Sequence, residues 1–222
     1  MSPRFTRVDA MWGLLALGVV LATIALTRRE SPEDRIRAAV FAPREINDGA
    51  SLARTGVVVG DSLAPLRIVM FSDFECHYCR RFHETLTKLR ARYPSSVAVV
   101  YRHFPISRVG FAIPAAVAAE CAAAQGKFEA FSGMLFTAQD TLRRANMERV
   151  ARDAGVADTV LFNACRRGPI ARARVDEDIR AGLRLGIVAT PTVLIGDRLV
   201  SGEIPFEELE QIVNERVKGG HK

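Results

Sequence analysis

The sequence predicts an α/β fold in which a block of helices interrupts a sheet, and three observations carry that prediction. A strand–helix–strand unit runs from Leu66 to Tyr101, helical patterning holds from Pro114 to about Leu185, and strand character returns only at Thr192–Ile195 and Arg198–Val200. In the first unit, the apolar runs Val57–Val59 and Arg67–Phe71 are separated by the turn formers Gly60, Asp61 and Pro65. A helix then opens at Cys76, carries Phe82, Leu86, Leu89 and Tyr93, and stops at Pro94, after which Val97–Tyr101 reads as the next strand. In the helical block, Pro114 suits a first helical position and Gly126 a C-terminal stop. The two late strands are joined by a Gly196-Asp197 turn. A last amphipathic helix, Pro205–Lys218, puts Leu209, Ile212, Val213 and Val217 on one face.

The chain has 222 residues, 49% hydrophobic and 25% charged, which is enough for one well-filled globular domain with an inserted subdomain. Its net charge of +6 is spread over scattered arginines with no basic run interleaved with aromatics, so nucleic acid is not indicated as a partner. Ala10–Leu26 carries one acid-free, base-free stretch beyond Asp9, flanked by Arg4 and Arg7 before it and Arg28 and Arg29 after it. Seventeen helical residues reach roughly 25 Å, within range for a membrane span. The reading is a single uncleaved anchor over residues 10–27. The rival is a cleaved signal peptide, against which stands the poor site Ala25-Leu26-Thr27 with arginines at once behind it. Flanking arginines alone would leave the main domain in the cytosol, whereas disulfide chemistry belongs in an oxidising compartment; we take the cysteines as the stronger signal. Residues 1–9 form a short tail, 28–55 a tether with a short helix around Glu33–Val40, and 56–222 the folded domain, its helical insertion spanning about 110–185.

Cys76-His77-Tyr78-Cys79 is the segment that bears chemistry. A strand precedes it and a helix follows, so one sulfur sits at the helix N-terminus and the other inside the first turn. Unpaired N–H groups there favour negative charge, and thiolate is the nucleophile of disulfide exchange. A zinc site would need two further ligands at suitable spacing, and Cys121 and Cys165 are single and far apart, so no metal is expected.

Several segments together resemble the DsbA-like thioredoxin-fold proteins. They are Phe71-Ser72-Asp73-Phe74-Glu75-Cys76-His77-Tyr78-Cys79, Tyr101-Arg102-His103-Phe104-Pro105, Ala119-Glu120-Cys121-Ala122 with Gln125-Gly126-Lys127-Phe128, Gly186-Ile187-Val188-Ala189-Thr190-Pro191-Thr192, and Gly202 after the hairpin. The matching stretch covers roughly residues 60–217. The resemblance implies a thioredoxin fold with an inserted helical subdomain, to which the apolar run 10–27 adds a single preceding N-terminal transmembrane helix. It makes Cys76 the attacking sulfur, Cys79 the buried resolving one, Pro191 a cis-proline beside them, and Thr190 a backbone partner for an extended substrate.

Two positions depart from the relatives' pattern. His77 stands where proline is usual and either stabilises the neighbouring thiolate when protonated or is a solvated side chain without that effect. Met70 stands where a glutamate often helps to move the proton of the resolving thiol, and strand alternation need not point Asp73 or Glu75 at the sulfurs. Cys121 and Cys165 are either a structural disulfide closing a loop of about 45 residues, two buried free thiols, or a redox relay.

The expected function is a thiol–disulfide oxidoreductase that oxidises cysteine pairs of unfolded or folding exported proteins, with no cofactor. It would be recycled by a membrane redox partner, quinone-linked, and would act from the extracytoplasmic side of the cell membrane. The rivals are a reductase or isomerase on the same fold, and a non-enzymatic chaperone or metal-binding module.

Overall fold

The computed structural model describes residues 17, 31–47, 49–106 and 110–219. The chain divides into two compact units, Met1–Ala42 and Pro43–Lys222. In the first, helix α1 spans Pro32–Phe41. The expected anchor over residues 10–27 lies outside the described residues save for Leu17. Among the described residues no helix is long and apolar enough to cross a membrane.

The second unit is built on a six-stranded sheet of β1 (Arg44–Glu45), β2 (Val57–Val59), β3 (Leu66–Ser72), β4 (Val97–His103), β5 (Thr192–Ile195) and β6 (Arg198–Ser201). Their spatial order is β1-β6-β5-β3-β4-β2. Only β3 and β4 run parallel, paired over seven positions from Leu66↔Val97 to Ser72↔His103; every other neighbouring pair is antiparallel. Parallel strands need a crossover, and helix α3 (His77–Arg92) supplies it. Phe82, Leu86 and Leu89 recur at helical spacing, are buried against the sheet, and hold the helix there. It ends at Tyr93, where the following Pro94 disfavours helical geometry.

Both faces of β3 are covered, so it is apolar without alternation from Ile68 to Phe71. Ile68 and Met70, with Val97, Val99, Tyr101, Val193 and Ile195, join the larger core formed with α3 and the helical block. Val69, Phe71, Val100, Leu194 and Leu199 face a smaller core with Phe104, Ala181 and Ile187. Alternation along the strands sends neighbours to opposite faces.

The helical block comprises α4 (Ala112–Ala123), α5 (Phe128–Thr137), a 3-10 segment (Gln139–Arg144), α6 (Met147–Asp153), α7 (Thr159–Arg167) and α8 (Pro169–Arg184). Asn146 and Asp158 cap α6 and α7 by accepting the N–H groups of Arg149 and Leu161, at 3.0 and 2.8 Å. Pro114 is the third helical residue of α4 and not the first, a harmless place because the opening N–H groups of a helix have no internal acceptor. Helix α8 passes so close to Phe104 that a Cβ at Gly182 would enter its ring. The last helix, α9 (Phe206–Gly219), buries Leu209 and Val213 in the larger core.

The expected tether is corrected over its second half. Residues 43–55 belong to the folded unit: β1 pairs with β6, Ile46 donates to the Asp197 carbonyl at 2.8 Å, and the short helix α2 (Gly49–Leu52) follows. Gly49 donates to the Asp197 carboxylate at 2.9 Å, and a Cβ there would strike the Gly196 carbonyl. The segment is short in apolar residues because it closes a sheet edge by backbone pairing, which leaves no side-chain periodicity to read.

Cys121 on α4 and Cys165 on α7 are joined by a disulfide across 44 residues of sequence. Closing a loop of that length removes roughly 4 kcal/mol of unfolded-chain entropy. The Cys121→Ser, Cys165→Ser double variant is therefore expected to unfold with about 2–4 kcal/mol less stability in a denaturant titration. An unchanged midpoint would mean that packing alone holds the block.

Candidate active site

The two sulfurs sit where β3 runs out into α3. Cys76 is the N-cap of α3 with extended backbone, and its carbonyl accepts the first helical bond, from Arg80 N–H at 3.2 Å. Its N–H donates to the Asp73 carbonyl at 3.1 Å, closing the turn that leads out of the strand. Its side chain caps nothing, which leaves the sulfur free at the half-buried mouth of the helix. Cys79 lies one turn on, fully buried in the larger core. Both are free thiols, and Asp73 N–H points at Cys79 Sγ from 3.5 Å.

The Thr190–Pro191 peptide, just before β5, is cis. The Thr190 carbonyl lies 3.2 Å from Cys76 Sγ and accepts from it in the thiol form. The loop is pinned on its far side, where Gly202 N–H donates to the Pro191 carbonyl at 2.8 Å and the Thr192 hydroxyl donates to the Ala189 carbonyl at 2.7 Å. The structure thus brings Cys76, Cys79, Thr190 and Pro191 together from positions more than a hundred residues apart.

The two thiols are driven in opposite directions. Cys76 is pulled down to about 6 by the Cys79 thiol hydrogen-bonding to its thiolate, against the cost of partial burial, with help from the Thr190 side chain and the N–H groups of Cys79 and Tyr78. Cys79 is pushed far above the ordinary thiol range by burial, and further by the neighbouring Cys76 sulfur. Near neutrality the site holds one thiolate and one thiol.

His77 is exposed at the first position of α3. Tyr78 is also exposed; its ring lies under the Arg81 guanidinium at 4.8 Å, and Arg81 is held in turn by both carboxylate oxygens of Glu203, at 3.1 and 2.7 Å. Met70 is fully buried. The carboxylates nearest in sequence are occupied elsewhere. Asp73 accepts from the N–H groups of Glu75 and Ile106, at 2.8 and 2.9 Å, and burial raises its pKa. Glu75 accepts from Phe111 and Ala112 N–H at the start of α4, at 3.3 and 3.1 Å, and pairs with Arg143. Glu75 thereby fastens the cysteine turn to the helical block. Cys121 and Cys165 belong to the block, not to this site.

Sequence reasoning missed the buried polar network on β4. Arg102 pairs with Asp178 of α8 and reaches Thr55, His103 N–H donates to Asp178 at 2.8 Å, and His103 Nε2 stands 3.2 Å from Glu120 of α4, which also meets Arg174. Burial works to raise the pKa of Glu120, but His103 and Arg174 outweigh it and hold the carboxylate below its ordinary range. The segments Tyr101–Pro105 and Ala119–Ala122 were legible as motifs; the signal for their pairing, polar residues inside otherwise apolar runs, was in the sequence without an address. Among the described residues no group of three or more His, Cys, Asp or Glu is placed to hold a metal.

The thiolate at Cys76 gives a direct expectation. Absorbance at 240 nm should report one thiol titrating near pH 6, absent in Cys76→Ser, with Cys79 silent to high pH. Because the folded pKa lies below the ordinary 9.0, the stabilisation of the reduced protein is complete above about pH 9 and is lost as the pH falls through about 6. A midpoint near 9 would remove the electrostatic basis of the site.

A family model described as Thioredoxin matches residues 52–215. A sodium/proton antiporter, NhaA 1, of Mycolicibacterium gilvum is 36% identical over 138 residues, which are 61% of this chain and 22% of that protein. The chain thus spans less than a quarter of the length of that curated relative. A thioredoxin-like oxidoreductase from Silicibacter pomeroyi is 28% identical with a TM-score of 0.67, over 78% of this chain and 98% of that one. The DsbA2 structure of Pseudomonas aeruginosa shares the fold at 21% identity and a TM-score of 0.60, covering 75% and 96% of the two chains. With its sheet order, its cysteine-bearing turn and a family match over most of its length, this chain belongs to the thioredoxin family.

Proposed function

We propose that this protein is a thiol–disulfide oxidoreductase that oxidises cysteine pairs of exported proteins. The observation that carries the reading is the opposed state of the two thiols, with Cys76 pulled down to about 6 at a helix N-cap and Cys79 buried as a thiol. A substrate thiolate attacks Cys76 in the Cys76–Cys79 disulfide, Cys79 leaves, and the second substrate thiolate breaks the mixed disulfide to release an oxidised substrate. Stabilising the Cys76 thiolate favours the reduced form, which makes the disulfide a stronger oxidant. The Thr190 carbonyl beside the sulfur, and the exposed side chains of Tyr78 and Val188 two residues from Cys76 and Thr190 in sequence, suit an unfolded chain laid across the site. A chaperone whose cysteines are incidental would need no such division between the sulfurs.

The Cys121–Cys165 bond supports an oxidising compartment, and the apolar run 10–27 supports a membrane anchor with the domain on the extracytoplasmic side. Tethering would raise the local concentration for a membrane redox partner, quinone-linked, that restores the disulfide. The reduction potential of Cys76–Cys79, equilibrated against glutathione and read by thiol trapping, is expected above about −200 mV. A value well below the glutathione couple would make this a reductase or isomerase instead.

One observation favours a second reading of the partner. The curated relative from Mycolicibacterium gilvum is a longer protein named a sodium/proton antiporter, which points to a membrane transporter as the neighbour or substrate of the exchange. A Cys79→Ser variant should trap mixed disulfides at Cys76, and mass spectrometry of membrane adducts would identify them. Adducts confined to soluble exported proteins would reject the transporter.

A further inference from the structure

Each time the Cys76–Cys79 bond forms or breaks, a proton must leave or reach a sulfur that is wholly buried and held in its thiol form. Asp73 and Glu75 are committed to backbone N–H groups, position 70 is methionine, and His77 lies on the solvent side.

In the same core, with one member reaching towards the surface, stands a hydrogen-bonded pair. His83 follows Cys79 by four residues on α3, so their Cβ atoms are about 5–6 Å apart on one face. A helical side chain leans towards the N-terminus, which carries the imidazole back over the turn that holds Cys79. Its Nδ1 is 2.6 Å from the Tyr101 hydroxyl. Tyr101 lies opposite Met70 in the β3–β4 ladder and in the same core as Cys79. Phe128 packs on the Tyr101 ring and Phe136 on the His83 ring, at 5.2 and 4.8 Å, fixing both. Tyr101 is buried but His83 only half-buried, and its Nε2 faces Gly133, which has no side chain to close the way out.

We propose that Tyr101 and His83 form the proton path between Cys79 and solvent, an inference that rests on the exchange reading above. With a substrate joined to Cys76, Cys79 Sγ gives its proton through one bridging water to Tyr101 Oη while Tyr101 passes its own to His83 Nδ1, and the imidazolium releases a proton from Nε2 to solvent. The Cys79 thiolate attacks Cys76 Sγ, the Cys76–Cys79 bond forms, and the substrate sulfur leaves as thiolate with the electron pair of the broken bond. When a substrate opens the disulfide, the same path returns a proton to Cys79.

The charges around the pair suit this role. His83 contacts Tyr101 of β4 and feels the charges of Glu84 on its own helix and of Glu129 of α5, the latter paired with Arg90 at 2.7 Å. Burial lowers the His83 pKa, the two glutamates oppose it and Arg90 adds to it, so the ring is a neutral acceptor near pH 7. Burial also raises the Tyr101 pKa, and the Cys79 charge contributes in the same direction, so the phenol stays protonated and passes protons without storing charge.

The test is quenched-flow reaction of the reduced full chain with oxidised glutathione from pH 5 to 10, following the Cys76–glutathione adduct by mass spectrometry. In Tyr101→Phe and His83→Gln the adduct should form at the wild-type rate but resolve at least about tenfold more slowly near neutrality. The gap should narrow as the pH falls, because an imidazole already protonated from solvent can no longer accept from Tyr101. Resolution at the wild-type rate across the whole range in both variants overturns the path while leaving the exchange reading intact. If wild-type protein forms no adduct, the exchange reading fails and the path with it. Should Tyr101→Phe not fold, His83→Gln, altered on a half-exposed helix face, decides the matter alone.

Discussion

Two parallel strands cannot be joined by a tight turn, and that constraint organises this molecule. The pairing of Leu66–Ser72 with Val97–His103 obliges the chain to leave the sheet, cross over it and return. The crossover is α3, and its N-terminus opens directly beyond the end of β3. Cys76 occupies that opening because Asp73–Cys76 turns the chain there, and Cys79 is carried inwards by the same turn of helix that buries Phe82, Leu86 and Leu89. The register also sets Tyr101 beside Met70 and brings His103 to the level of Ser72, beneath the helical block. The position of both sulfurs and of the polar groups behind them thus follows from one ladder.

From that placement comes the unequal chemistry of two identical side chains. One sulfur is at a helix mouth, within reach of N–H groups and of its neighbour's thiol; the other is enclosed in apolar surroundings with little to compensate a charge. Desolvation acts against ionisation at both. Hydrogen bonds to the thiolate overcome it at Cys76 and fall short at Cys79. The cis-proline loop completes the site from the antiparallel neighbour β5, held by the backbone bond from Gly202.

The helical block is fastened to this frame by polar contacts as well as by packing. Glu75 reaches the start of α4, Gln139 donates to the Phe74 carbonyl at 2.7 Å, and the pairs Arg102–Asp178 and His103–Glu120 tie β4 to α8 and α4. Buried charges are costly unless paired, so each of these groups accepts one partner geometry, and together they fix where the block sits on the sheet. The disulfide acts elsewhere, within the block, by limiting the unfolded chain between α4 and α7.

Local information was enough for much of this. The strand before Cys76, the helix after it, the span of the helical block and the hairpin around Gly196-Asp197 were all legible, because apolar spacing and turn residues act over a few positions. The opening segment 43–55 was misread as tether, since an edge strand of two residues gains its stability from backbone bonds to β6 and carries no side-chain pattern. Composition offered Asp73, Glu75 and His77 as neighbours of the thiols, yet backbone direction turns the carboxylates to N–H groups and leaves the histidine in solvent. The His83–Tyr101 contact joins residues 18 apart on different elements, and nothing in either stretch announces it. The sequence by itself determined which residues carry the chemistry and which segments become strands and helices, because those depend on side-chain identity and short-range periodicity. Tertiary structure alone decided how far the two sulfurs are driven apart, which carboxylates are already engaged and where Cys121 finds its partner, because desolvation and hydrogen bonding depend on neighbours that the chain acquires only by folding.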